Sequence, residues 1–129
     1  EIVHGVINEY SGAPNRNNGD NMLLIWRSFE DDSEQFHQRL CEMALLSCAK
    51  IYAAVQKSTK LMEFAKHPGF QQRLGSDYRV SLTFGLHMGW AIEGAVGSEV
   101  KIDATYFSPN VNIAYQIEHA TDLYQVPIL

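Results

Sequence analysis

The chain has 129 residues, 46% hydrophobic and 19% charged, enough to bury one core and too few for two independent domains. Fifteen acidic against ten basic residues leave a formal charge of −5, and the basic residues are scattered instead of striped, which argues against nucleic acid as a partner. The uncharged run Val80 to Ile92 is interrupted by Ser, Thr, Gly and His and falls short of the roughly 20 apolar residues that span a bilayer, so this segment is expected to make no direct membrane contact.

Ile2, Val3, Val6 and Ile7 recur at helical spacing and Gly12 follows, so residues 1–11 read as the end of a helix with glycine as terminator. Because the helical pattern is already running at Glu1 and Val126-Pro127-Ile128-Leu129 reads as a strand, the chain is expected to be a piece of a longer one. Asn17-Asn18-Gly19-Asp20 is a turn signal placed before the apolar run Met22 to Trp26, as in a β-hairpin with glycine at a positive φ.

Ser33 is placed to cap a long helix running to about Lys66, with Phe36, Leu40, Met43, Ser47, Ile51 and Val55 on its buried face. Glu30-Asp31-Asp32 before it reads as a solvated helix start that favours the dipole. Cys41 and Cys48 lie seven residues apart on one face of this helix and read as small buried hydrophobes, which points to a reducing compartment on the cytoplasmic side. His67-Pro68-Gly69 breaks the helix, and Phe70–Asp77 reads as a connector.

Tyr78 to Ile92 alternates and ends in small residues, predicting a strand, a turn and a second strand to about Tyr106. Ser108 as N-cap and Pro109 at the first helical position open a last helix. Its predicted buried face is Ile113, Ile117, Ala120 and Tyr124, while Asn112 and Gln116, four apart, project side by side from the other face.

Three blocks resemble one family in order and spacing: Asn17-Asn18-Gly19-Asp20 leading into Met22-Leu23-Leu24-Ile25-Trp26; Phe84-Gly85-Leu86-His87-Met88-Gly89 with Gly94-Ala95-Val96-Gly97; and Asp103-Ala104-Thr105 with Asn110-Val111-Asn112-Ile113-Ala114. They look like the class III adenylate/guanylate cyclase catalytic domain, across nearly the whole chain. The resemblance implies a ferredoxin-like α/β (α+β) domain, residues 1–129, whose mostly antiparallel sheet carries packed helices. It further implies work in a dimer with a second cyclase-like domain, and truncation at both ends, with the first strand and the C-terminal strands missing.

The resemblance also assigns residues. Asp20 matches one of two carboxylates that hold two Mg²⁺ or Mn²⁺ ions, the other belonging to a strand before residue 1. Arg16 and Thr105 match the two base-selecting positions: a cation can donate to the adenine N1 edge and a hydroxyl can accept from the 6-amino group, so ATP is favoured over GTP. Asn112 matches the ribose-positioning asparagine. Gln116 stands where the family normally has an arginine that stabilises charge on the phosphates, and a neutral amide lacks those charge-assisted donors.

Phe107-Ser108-Pro109-Asn110 replaces the usual Ile-Gly-Asp-Thr loop, and Asn18 replaces an isoleucine, features resembling a divergent branch of large multi-domain cyclase-like proteins of protists. His87, with no second ligand at metal-binding spacing, reads as a satisfied core or interface histidine, and Trp26 and Trp90 as core or dimer-face aromatics. Two functions follow: conversion of ATP to 3′,5′-cyclic AMP and pyrophosphate, or a catalytically inactive homology domain that serves as a dimerisation scaffold.

Overall fold

A computed structural model describes residues 1–97 and 102–129, apart from the side chains of residues 16–18, 102 and 103. In chain order the elements are α1 (Ile2–Glu9), β1 (Ala13–Asn18), β2 (Asn21–Ile25), α2 (Glu34–Lys57), α3 (Thr59–Ala65), α4 (Pro68–Leu74), β3 (Ile92–Gly97), β4 (Ile102–Phe107) and α5 (Pro109–Tyr124). The α+β class is as expected: two antiparallel hairpins, β1–β2 and β3–β4, are combined with helices.

Helix α1 ends at Glu9, three residues before the predicted terminator Gly12. Ser11 takes the left-handed conformation, with φ 59°, while Gly12 serves close packing instead, since a Cβ there would lie 2.7 Å from the Trp26 ring and 2.9 Å from Ile7. Trp26 is held in that contact by donating from Nε1 to the Tyr10 carbonyl at 2.9 Å. The β1–β2 hairpin closes through the two-residue loop Gly19-Asp20. Gly19 has φ +68° and Asp20 an ordinary φ, the pattern of a II′ turn.

Ser33 caps α2 by accepting from the Phe36 amide at 3.2 Å. The predicted single helix to Lys66 is instead two: Ser58 is extended (φ −69°, ψ 110°) and its hydroxyl accepts from the Leu61 amide at 3.4 Å, starting α3. A serine hydroxyl offers the backbone an alternative to the helical ladder, which is why it splits the run. The predicted connector likewise contains α4, with Pro68 at its start and His67 Nδ1 accepting from the Gly69 amide at 3.2 Å.

On α2, Leu40, Ser47, Ile51 and Val55 are buried as predicted, whereas Phe36 is exposed because α2 begins beyond the core. Ile7, Ile51 and Val55 form that core, with Leu24, Trp26, Leu61, Val80, Leu82 and Phe84 packed against it. Ile7 and Ile51, fully buried, each contribute about 1.5–3 kcal/mol on leaving water, and the partly buried residues around them less. Only one cysteine is the buried hydrophobe expected: Cys48 is 3% exposed, and Cys41 is exposed with Sγ 3.6 Å from Met88 Sδ. The reason is position, since Cys41 lies two turns nearer the start of the helix.

The stretch predicted as a strand from Tyr78 has no regular ladder of its own. Its middle pairs in parallel with the last residues: the Phe84 amide donates to the Pro127 carbonyl at 2.9 Å, the Leu129 amide to the Phe84 carbonyl at 3.0 Å, and the Leu86 amide to the Leu129 carbonyl at 2.9 Å. Strand β3 begins only at Ile92.

Helix α5 opens as predicted, with the Ser108 hydroxyl accepting from the Asn110 amide at 3.0 Å. Its buried face differs. Ile113 is 37% and Tyr124 64% exposed, the surface laid on segment 83–89 is Asn110, Ala114 and Glu118, and Thr121 is the buried residue of the helix at 1% exposed. Glycine causes the change: a Cβ on Gly85 would lie 2.6 Å from the Ala114 carbonyl and still closer to the Glu118 amide, so the helix backbone itself rests on the extended segment. Thr83 secures the approach by donating to Glu118 Oε1 at 2.6 Å.

Gly85→Ala is expected to lower stability by about 1–3 kcal/mol in chemical denaturation, because only backbone atoms stand in the way of the new methyl group. Iodoacetamide at neutral pH should label Cys41 in the folded protein and leave Cys48 untouched. Burial pushes the Cys48 thiol up to about 11 from 9.0, against a smaller downward pull from Ser47. Between pH 9 and about 11 the unfolded chain has released this proton while the folded chain retains it, so stability should fall across that window; a Cys48→Ala variant removes this component.

Candidate functional site

The candidate residues come from three elements: the β1–β2 hairpin, strand β4 and the first turns of α5. Residues Ala13, Pro14, Asn17 and Asn18 of β1 pair with Ile25, Leu24, Met22 and Asn21 of β2, so Asn15 and Arg16 together face the single residue Leu23. This two-against-one arrangement is a β-bulge, which bends a strand and re-aims its side chains. The freed Asn15 side chain donates from Nδ2 to the Ala104 carbonyl at 3.0 Å, joining β1 to β4.

That bond brings together the two positions assigned to base selection, since Arg16 follows Asn15 in the bulge and Thr105 follows Ala104 in β4. The Arg16 side chain lies outside the described residues, as do those of Asn17, Asn18 and Asp103. Thr105 is half-buried and pairs with Gly94 of β3. The sequence reading missed Asn15. The available signal was Pro14, which cannot donate to a sheet ladder and therefore favours edges and bulges.

Asp20 sits exposed at the hairpin tip. Among the described residues no group of three or more His, Cys, Asp or Glu side chains comes together. One turn carboxylate supplies at most two oxygen ligands, too few for a two-ion centre by itself.

Asn112 and Gln116 are both exposed on α5, on the face opposite the one seated on segment 83–89. Asn112 borders a concavity of about 410 Å³, shared with Trp90, Ile92, Tyr106, Phe107, Ser108, Pro109 and Val111. Aromatic walls with one amide at the edge suit a flat, partly polar ligand. Beside it Glu93 accepts from the Tyr106 hydroxyl at 3.3 Å and pairs with Arg27 at 3.0 Å. Both members of that pair are well exposed, so it contributes about 1 kcal/mol or less. A second concavity, of about 430 Å³, lies between α2, α3, α4 and residues 76–80 and holds none of the candidate residues.

His87 is satisfied, as read from the sequence, but at an exposed position, with Nε2 3.0 Å from Asn110 Oδ1. Trp26 is half-buried and Trp90 is 64% exposed. Asp32 closes the turn before α2 by accepting from the Phe29 amide at 2.7 Å. No helix among the described residues is long and apolar enough to cross a membrane.

No protein-family model matches the chain. It is 22% identical over 130 residues to adenylate cyclase 1 of Rhizobium meliloti (strain 1021), a match that covers 100% of this chain and 17% of that protein. Two solved structures of a bacterial light-regulated adenylyl cyclase superpose with TM-scores of 0.66 and 0.69 at 20% and 21% identity, covering 98% of this chain and 32% of theirs. The chain thus spans a small part of these relatives' length. Its fold is that of these adenylyl cyclase structures, and its sequence is similar to an adenylate cyclase, in agreement with the resemblance carried by the three motif blocks.

Asn15→Ala is expected to destabilise the protein by about 0.5–1.5 kcal/mol, the net value of one hydrogen bond, measured by urea denaturation. Amide exchange should quicken in β1 and β4 while α1 and the middle of α2 stay protected.

Proposed function

We propose that this domain binds ATP and, paired with a second cyclase-like domain, converts it to 3′,5′-cyclic AMP and pyrophosphate. The observation that carries the reading is the similarity, over the whole of this chain, to part of an adenylate cyclase, taken with the Asn15–Ala104 bond that draws the Arg16 and Thr105 positions together. In the reaction the ribose 3′-oxygen attacks the α-phosphorus, the bond from that phosphorus to the bridging oxygen of the β-phosphate breaks, the 3′-hydroxyl proton is released, and pyrophosphate leaves.

Each residue has a role matched to its chemistry. Arg16 donates to the adenine N1 edge and the Thr105 hydroxyl accepts from the 6-amino group, a pairing that guanine, with a donor at N1, does not complement. Asn112 hydrogen-bonds the ribose and holds the 3′-oxygen in line with the α-phosphorus. Gln116 donates from a neutral amide towards the phosphates, a weaker stabiliser of developing charge than a guanidinium. Asp20 offers one carboxylate to Mg²⁺ or Mn²⁺, which would supply charge neutralisation on the triphosphate when bound; no group of three or more potential ligands comes together among the described residues.

Gln116 also favours a second reading, a nucleotide-binding or scaffolding domain without turnover, because the charge that speeds phosphoryl chemistry is missing from its usual place. The full-length protein with Mn²⁺ decides between them. Under the enzyme reading it makes cyclic AMP from ATP in preference to cyclic GMP from GTP. Asp20→Ala then lowers the rate at least about 100-fold, and Gln116→Arg raises it about 10-fold or more. Folded protein that yields no cyclic nucleotide, with or without Gln116→Arg, leaves only the reading without turnover.

A further inference from the structure

The first turn of α5 is tied down by a cluster that none of the assigned roles uses. Asn110 Nδ2 donates to the Trp90 carbonyl at 2.9 Å, and the Ser108 hydroxyl donates to the same carbonyl at 2.5 Å while accepting from the Asn110 amide at 3.0 Å. On its other side, Asn110 Oδ1 lies 3.0 Å from His87 Nε2. The network sets both ambiguous groups. Turning the Asn110 amide over would put its oxygen against the Trp90 carbonyl, two acceptors facing each other, so Oδ1 faces His87, and His87 must carry a proton on Nε2 to donate to it.

Gly89 makes room for the cluster. A Cβ there would fall 2.6 Å from Asn110 Oδ1 and closer still to the other amide atoms, so no larger residue coexists with this rotamer. One short side chain therefore grips the chain at His87 and at Trp90, on either side of Gly89, and holds the start of the helix against both.

We propose that Asn110, gripped by His87 and Trp90, is a positioning residue that sets the rotation and axial placement of the first turn of α5, and through it the aim of Asn112. Two residues along a helix is about 200° of rotation, so the anchored side chain and Asn112 leave opposite faces of the same turn. Helix ends fray unless held, and the cleft beside Asn112 is lined by Trp90 itself, so the bond to the Trp90 carbonyl couples the wall of the cleft to the residue on its rim. The inference rests on the reading that Asn112 touches the nucleotide. Its anchoring component does not.

The test uses the full-length protein and the variants Asn110→Ala, His87→Leu and His87→Gln, the last keeping an N–H donor for Oδ1. Hydrogen exchange in residues 110–113 should quicken at least about 10-fold in Asn110→Ala, with α2 unchanged. With Mn²⁺ and ATP, KM should rise about 10-fold in Asn110→Ala and His87→Leu and return near the wild-type value in His87→Gln. A partly unfolded sample lowers the apparent kcat and leaves KM alone, so the KM change separates positioning from mere loss of folded protein. Unchanged exchange in Asn110→Ala overturns the anchoring whether or not the protein turns over. A wild-type KM in an active Asn110→Ala overturns the aiming of Asn112. A wild-type protein that neither binds nor cyclises ATP, with exchange still quickened by Asn110→Ala, overturns the nucleotide reading and the aiming built on it, while the anchoring stands.

Discussion

The arrangement of this domain depends on the direct seating of the α5 backbone on the extended segment 83–89. Gly85 lies under Ala114 and Glu118, and Gly89 lies under Asn110, so the same helix face is met twice at a spacing of one turn. At Gly85 the helix backbone itself is the contact, and at Gly89 the Asn110 side chain is, so the helix has little freedom to roll on this segment: backbone atoms do not change rotamer, and the Asn110 amide is held by its own hydrogen bonds. Once that face is committed, the opposite one, with Asn112 and Gln116, is turned outward.

The core and the cleft beside Asn112 are separated along the chain. The core of Ile7, Ile51 and Val55 joins α1 and α2 to the β1–β2 hairpin and to Val80, Leu82 and Phe84, far in sequence from α5. Around the cleft beside Asn112 the apolar side chains remain in water: Phe107 is 61%, Ile92 63% and Trp90 64% exposed. Large apolar groups gathered at a rim fit a surface that a ligand or a second domain covers. The polar contacts near them, from Ser108, Asn110 and Glu93, order this rim without burying it.

Much of the local structure was legible because it is written in neighbouring residues. Ser33 and Ser108 cap the helices predicted for them, Gly19 turns the hairpin, and Asn112 and Gln116 share an exposed face, all consequences of side chains acting within four residues of themselves. The misreadings also have physical causes. Ser58 and His67 are cap residues that looked like helix interior and helix breaker, so the predicted long helix became α2 and α3 and the predicted connector contains α4. Apolar periodicity placed Tyr124 and Ile113 inside, where the glycine-seated helix buries Thr121 instead. The bulge at Asn15 and Arg16 was not legible, since an extra residue in one strand has meaning only against its partner strand.

The sequence by itself determined the order of most elements, their caps, the family resemblance and the types of residue available for nucleotide chemistry. Each of these follows from local backbone preference or from residue identity at a matched position. The tertiary structure decided which face of α5 is buried, how β1 meets β4 through Asn15 and Ala104, and how Asn110 ties α5 to His87 and Trp90. Those outcomes turn on approaches between segments about 20 to 90 residues apart, where a missing Cβ or one extra strand residue sets the distance, and no pattern within either segment encodes its partner's position.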